Sequence, residues 1–347
     1  MRVMKLHPQP FLLLGWLGGT LAFGHLPAAE SAPAFEAARS LAGTIRIWGP
    51  ANMAALARHW AEGFQRVQPG VKVELNLLGS DTAIPGLYSG RADLAFLGRE
   101  NNLTDDNGFF RPMQYKPERF ELTTGSLDVP GKTNALVVFV HRDNPLAQLT
   151  LAQLDAIFGH ERRRGAPRNI RTWGDLGLAG EWADRPVNLY GYDAETGTGQ
   201  FFLKAVLGGS RKMNWENLRE FKNLRRPDGS ISTAAEQSLD ALRPDRFGLA
   251  VSSVRFTSPE LKAVALAADE AGPYFHATKE ALIARQYPLA RVTYAFINRP
   301  PGSAIDPKVR EFLRYIFSRE GQADIVREGG YLPLNDDTLA AQRQRLQ

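Results

Sequence analysis

The 347-residue chain contains no cysteine. That excludes disulfides, thiolate nucleophiles and a lipid-modified N-terminal cysteine, so stability must come from a packed core. Histidine is scarce as well: of the six, His7, His25, His59, His141, His160 and His276, no two stand at metal-ligand spacing. There is no His-Glu-x-x-His helix and no nucleophile elbow, so neither a metal site nor a metalloenzyme is expected. Beyond residue 29 no segment approaches the roughly 20 continuous apolar residues of a membrane helix. Internal repeats and low-complexity tracts are also missing. Charge of one sign is only mildly in excess, with a formal net charge of +5. The basic cluster Glu161-Arg162-Arg163-Arg164, with Arg168 and Arg171, lacks interleaved aromatics, and reads as a solvated loop rather than a nucleic-acid surface.

Residues 1–29 have the pattern of a secretory signal. A basic start, Met1 to Lys5, precedes an apolar run from Phe11 to Phe23, and Leu26-Pro27-Ala28-Ala29 offers small residues for cleavage. The competing reading is an N-terminal membrane anchor, for which the apolar run is short. Cleavage would leave an exported chain too long for one compact core, so two lobes are expected.

Strand and helix patterns alternate along what remains. Thr44 to Trp48 alternates like a strand, stops at Gly49-Pro50, and gives way to Met53, Leu56, Ala57, Trp60 and Phe64 at helical spacing. A second strand over residues 71–78 ends at Gly79-Ser80-Asp81-Thr82, with a helix expected over 83–89. A third, residues 92–97, ends at Gly98-Arg99-Glu100. Trp48, Trp60 and Phe64 fit core positions. Residues 101–130 show only a polar stretch. Apolar residues 134–140 suit a strand buried on both faces and cross into a second lobe. There, helices are expected over 151–158, 200–207 and 232–242, with strands over 186–190, 247–251 and 263–266. Residues 292–297 form a long returning strand, followed by an amphipathic helix with Val309, Phe312, Leu313, Ile316 and Phe317 on one face. Such alternation argues for an α/β fold with mainly parallel sheets, whose polar turns converge beyond the carboxyl ends of the strands.

The segment Tyr190 to Phe202 is the most informative. An extended run turns through Thr196-Gly197-Thr198-Gly199 into an apolar helical pattern. Two readings stand: the threonines cap a helix, or the free N–H groups at the helix start, with the glycines and hydroxyls, cradle an anion. The glycine loop lacks the lysine of a nucleotide-binding P-loop.

Tyr287-Pro288-Leu289-Ala290-Arg291, Asp306-Pro307, Glu311-Phe312-Leu313, Ser318-Arg319-Glu320-Gly321-Gln322 and Gly330-Tyr331-Leu332-Pro333-Leu334 together resemble the C-terminal part of the phosphate-binding proteins of bacterial ABC importers. The turns at Asn52, Ser80, Gly98-Arg99 and Thr196-Gly197-Thr198 match that family's ligand turns in order. The resemblance implies a two-lobed type II periplasmic-binding fold joined by a two-strand hinge, with lobe one over residues 43–133 and 289–347 and lobe two over 134–288. It implies ligand contacts from Asn52, Ser80, Thr196, Gly197 and Thr198, no cofactor, a membrane permease as partner and a monomeric binder. Two departures bear on the ligand. Tyr192 stands where the family carries an arginine, and Gly98 where it carries an acid. Arg99 is a candidate substitute for the missing charge or a member of an ion pair. Asp81 and Asp193 are candidate proton acceptors or caps, and Tyr192 either donates to a ligand or packs. The expected function is capture of a small oxyanion, phosphate or phosphate-like, for an importer. A periplasmic sensor or secretion accessory with a changed ligand is the alternative, and a hydrolase is disfavoured.

Overall fold

The computed structural model describes residues 32–99 and 101–347. The signal read over residues 1–29, and Glu100, lie outside the described residues. Among those described, no helix is long and apolar enough to cross a membrane.

β1 (Gly43–Trp48) passes through Pro50 and a 3₁₀ turn, Ala51–Met53, into α1 (Ala54–Val67). Ile45 and Ile47 point inward from the strand, and Leu56, Ala57, Trp60 and Phe64 form the buried stripe of the helix, as their period-2 and 3.6-residue spacings require. β2 (Val71–Asn76), α2 (Ser80–Tyr88) and β3 (Leu94–Leu97) repeat the unit. α2 begins three residues earlier than the pattern indicated. α3 (Leu103–Met113) and β4 (Glu118–Thr124) follow, in the stretch where the sequence showed neither. α3 has Gly108 and Pro112 in its span and is held at its start by a capping box between Asn102 and Asp105.

The chain then crosses to β5 (Val137–His141), β6 (Gln148–Thr150) and α4 (Leu151–Phe158). β7 (Asn188–Tyr192) feeds α5 (Gly197–Ala205), and β8 (Leu218–Phe221) leads to a small hairpin of β9 (Leu224–Arg225) and β10 (Ile231–Ser232). α6 (Ala234–Leu242), β11 (Gly248–Ser252), β12 (Leu261–Ala263), β13 (Ala265–Ala267) and α7 (Lys279–Ile283) complete this part. The apolar run at 263–266 is thus two strands, not one: β12 pairs with β5 and β13 with β6. The chain returns as β14 (Val292–Ile297), α8 (Pro307–Ile316), α9 (Arg319–Glu328) and α10 (Asp336–Gln344).

Two five-stranded sheets result, ordered β2-β1-β3-β14-β4 and β12-β5-β11-β7-β8. Each contains one reversed strand. β14 runs antiparallel to both β3 and β4, and β5 runs antiparallel to both β11 and β12. Both are the first strands after a crossing, so the chain enters each sheet against the grain of its neighbours. Each lobe has its own apolar core. The crossings lie side by side, joined by Leu136 N–H to Leu289 C=O at 3.2 Å, Gly125 N–H to Arg291 C=O at 2.7 Å, and the Tyr287 hydroxyl to Leu136 C=O at 2.9 Å.

Trp60 and Phe64 are fully buried, and the Trp60 indole donates to Gly321 C=O at 2.9 Å. Trp48 packs half-buried against the smaller core of lobe one. The basic segment 161–171 is more than a solvated loop. Arg164 donates to the carbonyls of Val206 and Ala205 at the end of α5, and Arg171 to those of Ala156, Ile157 and Gly159 at the end of α4. Cations there satisfy terminal carbonyls and oppose the negative end of the helix dipole.

Candidate functional site

Between the lobes lies a cavity of about 450 Å³. Four helix starts reach it: the turn before α1 through Pro50 and Asn52, α2 through Ser80, α5 through Thr196, Gly197 and Thr198, and α6 through Ala234. This follows from the topology, because the helices of a doubly wound sheet start at the carboxyl ends of its strands. Each brings the positive end of its dipole, with first-turn N–H groups that have no intrahelical acceptor. The site therefore favours an anion before any charged side chain is counted.

Thr196 caps α5. Its hydroxyl accepts from Gly199 N–H at 3.0 Å and donates to Asp193 C=O at 2.7 Å. Thr198 differs, because its oxygen accepts from the Arg291 guanidinium at 3.3 Å, which leaves its own hydrogen available to the cleft. Cap and cradle thus divide between the two threonines. Asn52 spans the lobe-one wall with its amide on Gly131 C=O at 3.1 Å, while its Oδ1 is buried without a partner among the described residues. Seven of the nine candidate residues from the sequence line this one cavity: Asn52, Ser80, Arg99, Tyr192, Thr196, Gly197 and Thr198. Asp81 does not. Its carboxylate is almost fully exposed and pairs with Arg99 at 3.3 Å. Asp193 serves the turn, accepting from Glu195 N–H at 2.8 Å.

Arg99 is committed to carboxylates, with Asp105 at 2.5 Å besides Asp81. Its stem lies across Gly197, where an added Cβ would come within 2.9 Å of Arg99 Cδ. The two lobes thus touch along that edge. Burial pushes the Tyr192 phenol well above its ordinary range, against the opposing effect of the Arg291 charge and a hydrogen bond with Ser252. It stays neutral at any physiological pH.

Sequence reasoning assigned no role to three residues on the crossings. Arg291 is 8% exposed, approaches Gly98 C=O at 3.5 Å as well as Thr198, and lies 5.1 Å from the Phe201 ring centre. Thr133, also buried, fills the space beside Gly98, where a Cβ would meet its Oγ1 at 2.6 Å. Lys132 bridges Glu328 at 2.5 Å and Asn52 C=O at 3.1 Å and sits over the Tyr331 ring. Arg291 did carry a signal in the sequence, a cation directly before the long buried strand. The two departures from the family pattern have local counterparts: a side chain at 98 would press on the Thr133 hydroxyl, and a guanidinium arrives beside Tyr192 from another segment. Among the described residues, no cluster of side chains suits a metal ion.

Two lobes joined by paired crossings, with helix starts converging on the cleft between them, define a type II periplasmic-binding fold. The family model described as "PBP superfamily domain" matches residues 34–320. The phosphate-binding protein PstS of Pseudomonas aeruginosa is 32% identical over 303 residues, covering 87% of this chain and 86% of that protein. The chain therefore belongs to the PBP superfamily and, within it, to the family of PstS, which comprises binding proteins rather than enzymes. Protein SphX of Synechococcus elongatus is a more distant relative, 21% identical over 86% of this chain and 79% of its own length. Among solved structures, PstS from Borrelia burgdorferi aligns with a TM-score of 0.56 at 16% identity, covering 84% of this chain and 99% of that one. An ABC-type phosphate transport receptor from Vibrio cholerae aligns at 0.50 and 19% identity, covering 83% and 99%. These two carry the fold.

Proposed function

We propose that this protein captures phosphate reversibly in the periplasm and presents it to the permease of an ABC importer. The observation that carries the reading is the convergence of the α5 start, the Asn52 and Ser80 turns and the Arg291 guanidinium on one interlobe cavity. Ser80 and Asn52 hold the anion from lobe one (residues 43–133 and 289–347). Gly197 N–H and the Thr198 hydroxyl hold it from lobe two (residues 134–288), and Arg291 supplies the formal charge that Tyr192 lacks. Buried anions need such charge-assisted donors to offset their lost hydration. Bending at the paired crossings closes the lobes, and the closed surface is what the permease recognises. The protein acts as a monomer.

Titration calorimetry with phosphate, sulfate and small organic anions, after unfolding and refolding to strip endogenous ligand, tests the capture step. One phosphate per chain is expected, and silence with every anion rules the reading out. Import is tested in cells: deleting the gene should lower phosphate uptake. A deletion that changes only a phosphate-responsive reporter assigns the protein to sensing instead.

A further inference from the structure

We propose that the cleft also accepts the oxyanion as the head of a larger molecule, a small phosphomonoester whose organic part lies in an adjoining chamber. This rests on the oxyanion-capture reading of the same cleft. The cleft is asymmetric. On one side Arg99 lies against Gly197 and is anchored by Asp105 and Asp81, which closes that edge. On the other side the cavity continues into a second chamber of about 530 Å³, with Lys132, Tyr192, Thr198, Asn223 and Arg291 lining both. A further cavity of about 550 Å³ lies beyond the Arg99–Gly197 contact, so the unobstructed way out for a substituent on an anion seated on Thr198 and Arg291 is toward the chamber that shares those two residues.

The walls of that chamber suit a short, polar carbon chain. Leu136, Ile231 and Phe256 give apolar surface, while Arg226 and Arg255 bring positive charge. Arg255 lies over the Phe256 ring with its Cζ 5.5 Å from the centre, and Arg226 approaches Glu236 at 3.7 Å. A bare phosphate has five heavy atoms, whereas pockets for small organic ligands run from ~300 Å³ upward. The second chamber exceeds that threshold by itself. Its arginines select a substituent with a carboxylate or hydroxyls, as in 3-phosphoglycerate or glycerol 3-phosphate, over a purely apolar one.

The test is titration calorimetry of the stripped protein with orthophosphate, glycerol 3-phosphate and 3-phosphoglycerate. Both esters are expected to bind within about tenfold of orthophosphate or more tightly. Ala235→Phe, which fills the chamber from the first turn of α6, should weaken both esters by about tenfold or more and leave orthophosphate within about twofold. Arg255→Gln, a surface change that does not threaten folding, should weaken 3-phosphoglycerate more than glycerol 3-phosphate. Orthophosphate binding with both esters weaker by more than about tenfold overturns the inference and leaves phosphate capture standing. Failure of all three ligands removes both readings together.

Discussion

Arg291→Met should convert a tight anion binder into a weak one while leaving the apo fold in place. The guanidinium donates to Thr198 Oγ1 at 3.3 Å. A ligand oxygen at hydrogen-bond distance from that hydroxyl then lies about 4–6 Å from the charge. At an effective dielectric constant of about 20, a unit charge pair at 4 Å is worth about 4 kcal/mol, and proportionally less toward 6 Å. Removing one partner of a buried charge pair typically costs about 2–5 kcal/mol. We expect about 3 kcal/mol, a rise in the phosphate Kd of about 100-fold. Methionine can still pack on the Phe201 ring but loses the cation–π contact made by the guanidinium carbon, 5.1 Å from the ring centre, so apo stability in urea is measured as the control. Arg291→Lys retains charge but loses the planar fork, and should cost only about tenfold. The measurement is calorimetry on refolded, ligand-free protein. A Kd for Arg291→Met within about threefold of wild type, with apo stability retained, would refute the assignment of Arg291 as the ligand's charge partner.

Thr198→Val removes a donor whose oxygen Arg291 already occupies, and should weaken phosphate binding by about 1–3 kcal/mol; an unchanged Kd takes Thr198 out of the site. Gly98→Ala places a Cβ 2.6 Å from Thr133 Oγ1 and should destabilise the apo protein by about 1–3 kcal/mol. Adding Thr133→Ala should recover most of that loss in a denaturation cycle, and strict additivity would show that the two positions do not share space. Glu161 is held down to about 2 from 4.5, chiefly by hydrogen bonds from Lys212 and Ser210. Its folded form binds the proton less readily than its unfolded form, so its contribution is complete above pH 4.5 and disappears as the pH falls through about 2. Glu161→Gln should therefore flatten the acid limb of stability against pH over that window, and an unaltered limb would contradict the pairing.

What was legible in the sequence was what local chemistry determines. β1 with its turn into α1, the cap at Thr196 and the stripe of α8 each announce themselves within a dozen residues, through period, capping and turn chemistry. α3 and β4 do not. α3 buries only Asp105 and Phe109, carries Gly and Pro within its span, and presents no apolar stripe. β4 is an edge strand whose register comes from β14, some 170 residues away. A strand defined by its partner leaves a weak mark on its own segment. The run at 263–266 failed for the opposite reason: its composition suits a strand, but the division at Val264 is imposed by two different neighbours.

The same distinction separates the parts of the candidate site. Its hydroxyl and glycine turns could be read in place because each belongs to one helix start. The charge could not, because matching position by position locates a group only where the family keeps it. Here Tyr192 and Gly98 leave two positions without charge, while Arg291 and Thr133 reach the same volume from the two crossings between lobes. That relocation has a mechanical consequence. Arg291 C=O accepts from Gly125 N–H across the paired crossings while its guanidinium touches Thr198 of lobe two. Bending at the crossings therefore moves the charge relative to the cradle. In the capture proposed above, opening the cleft would draw the Arg291 charge away from the Thr198 side as well as separating the walls, and release would then be coupled to the same backbone that opens the cleft.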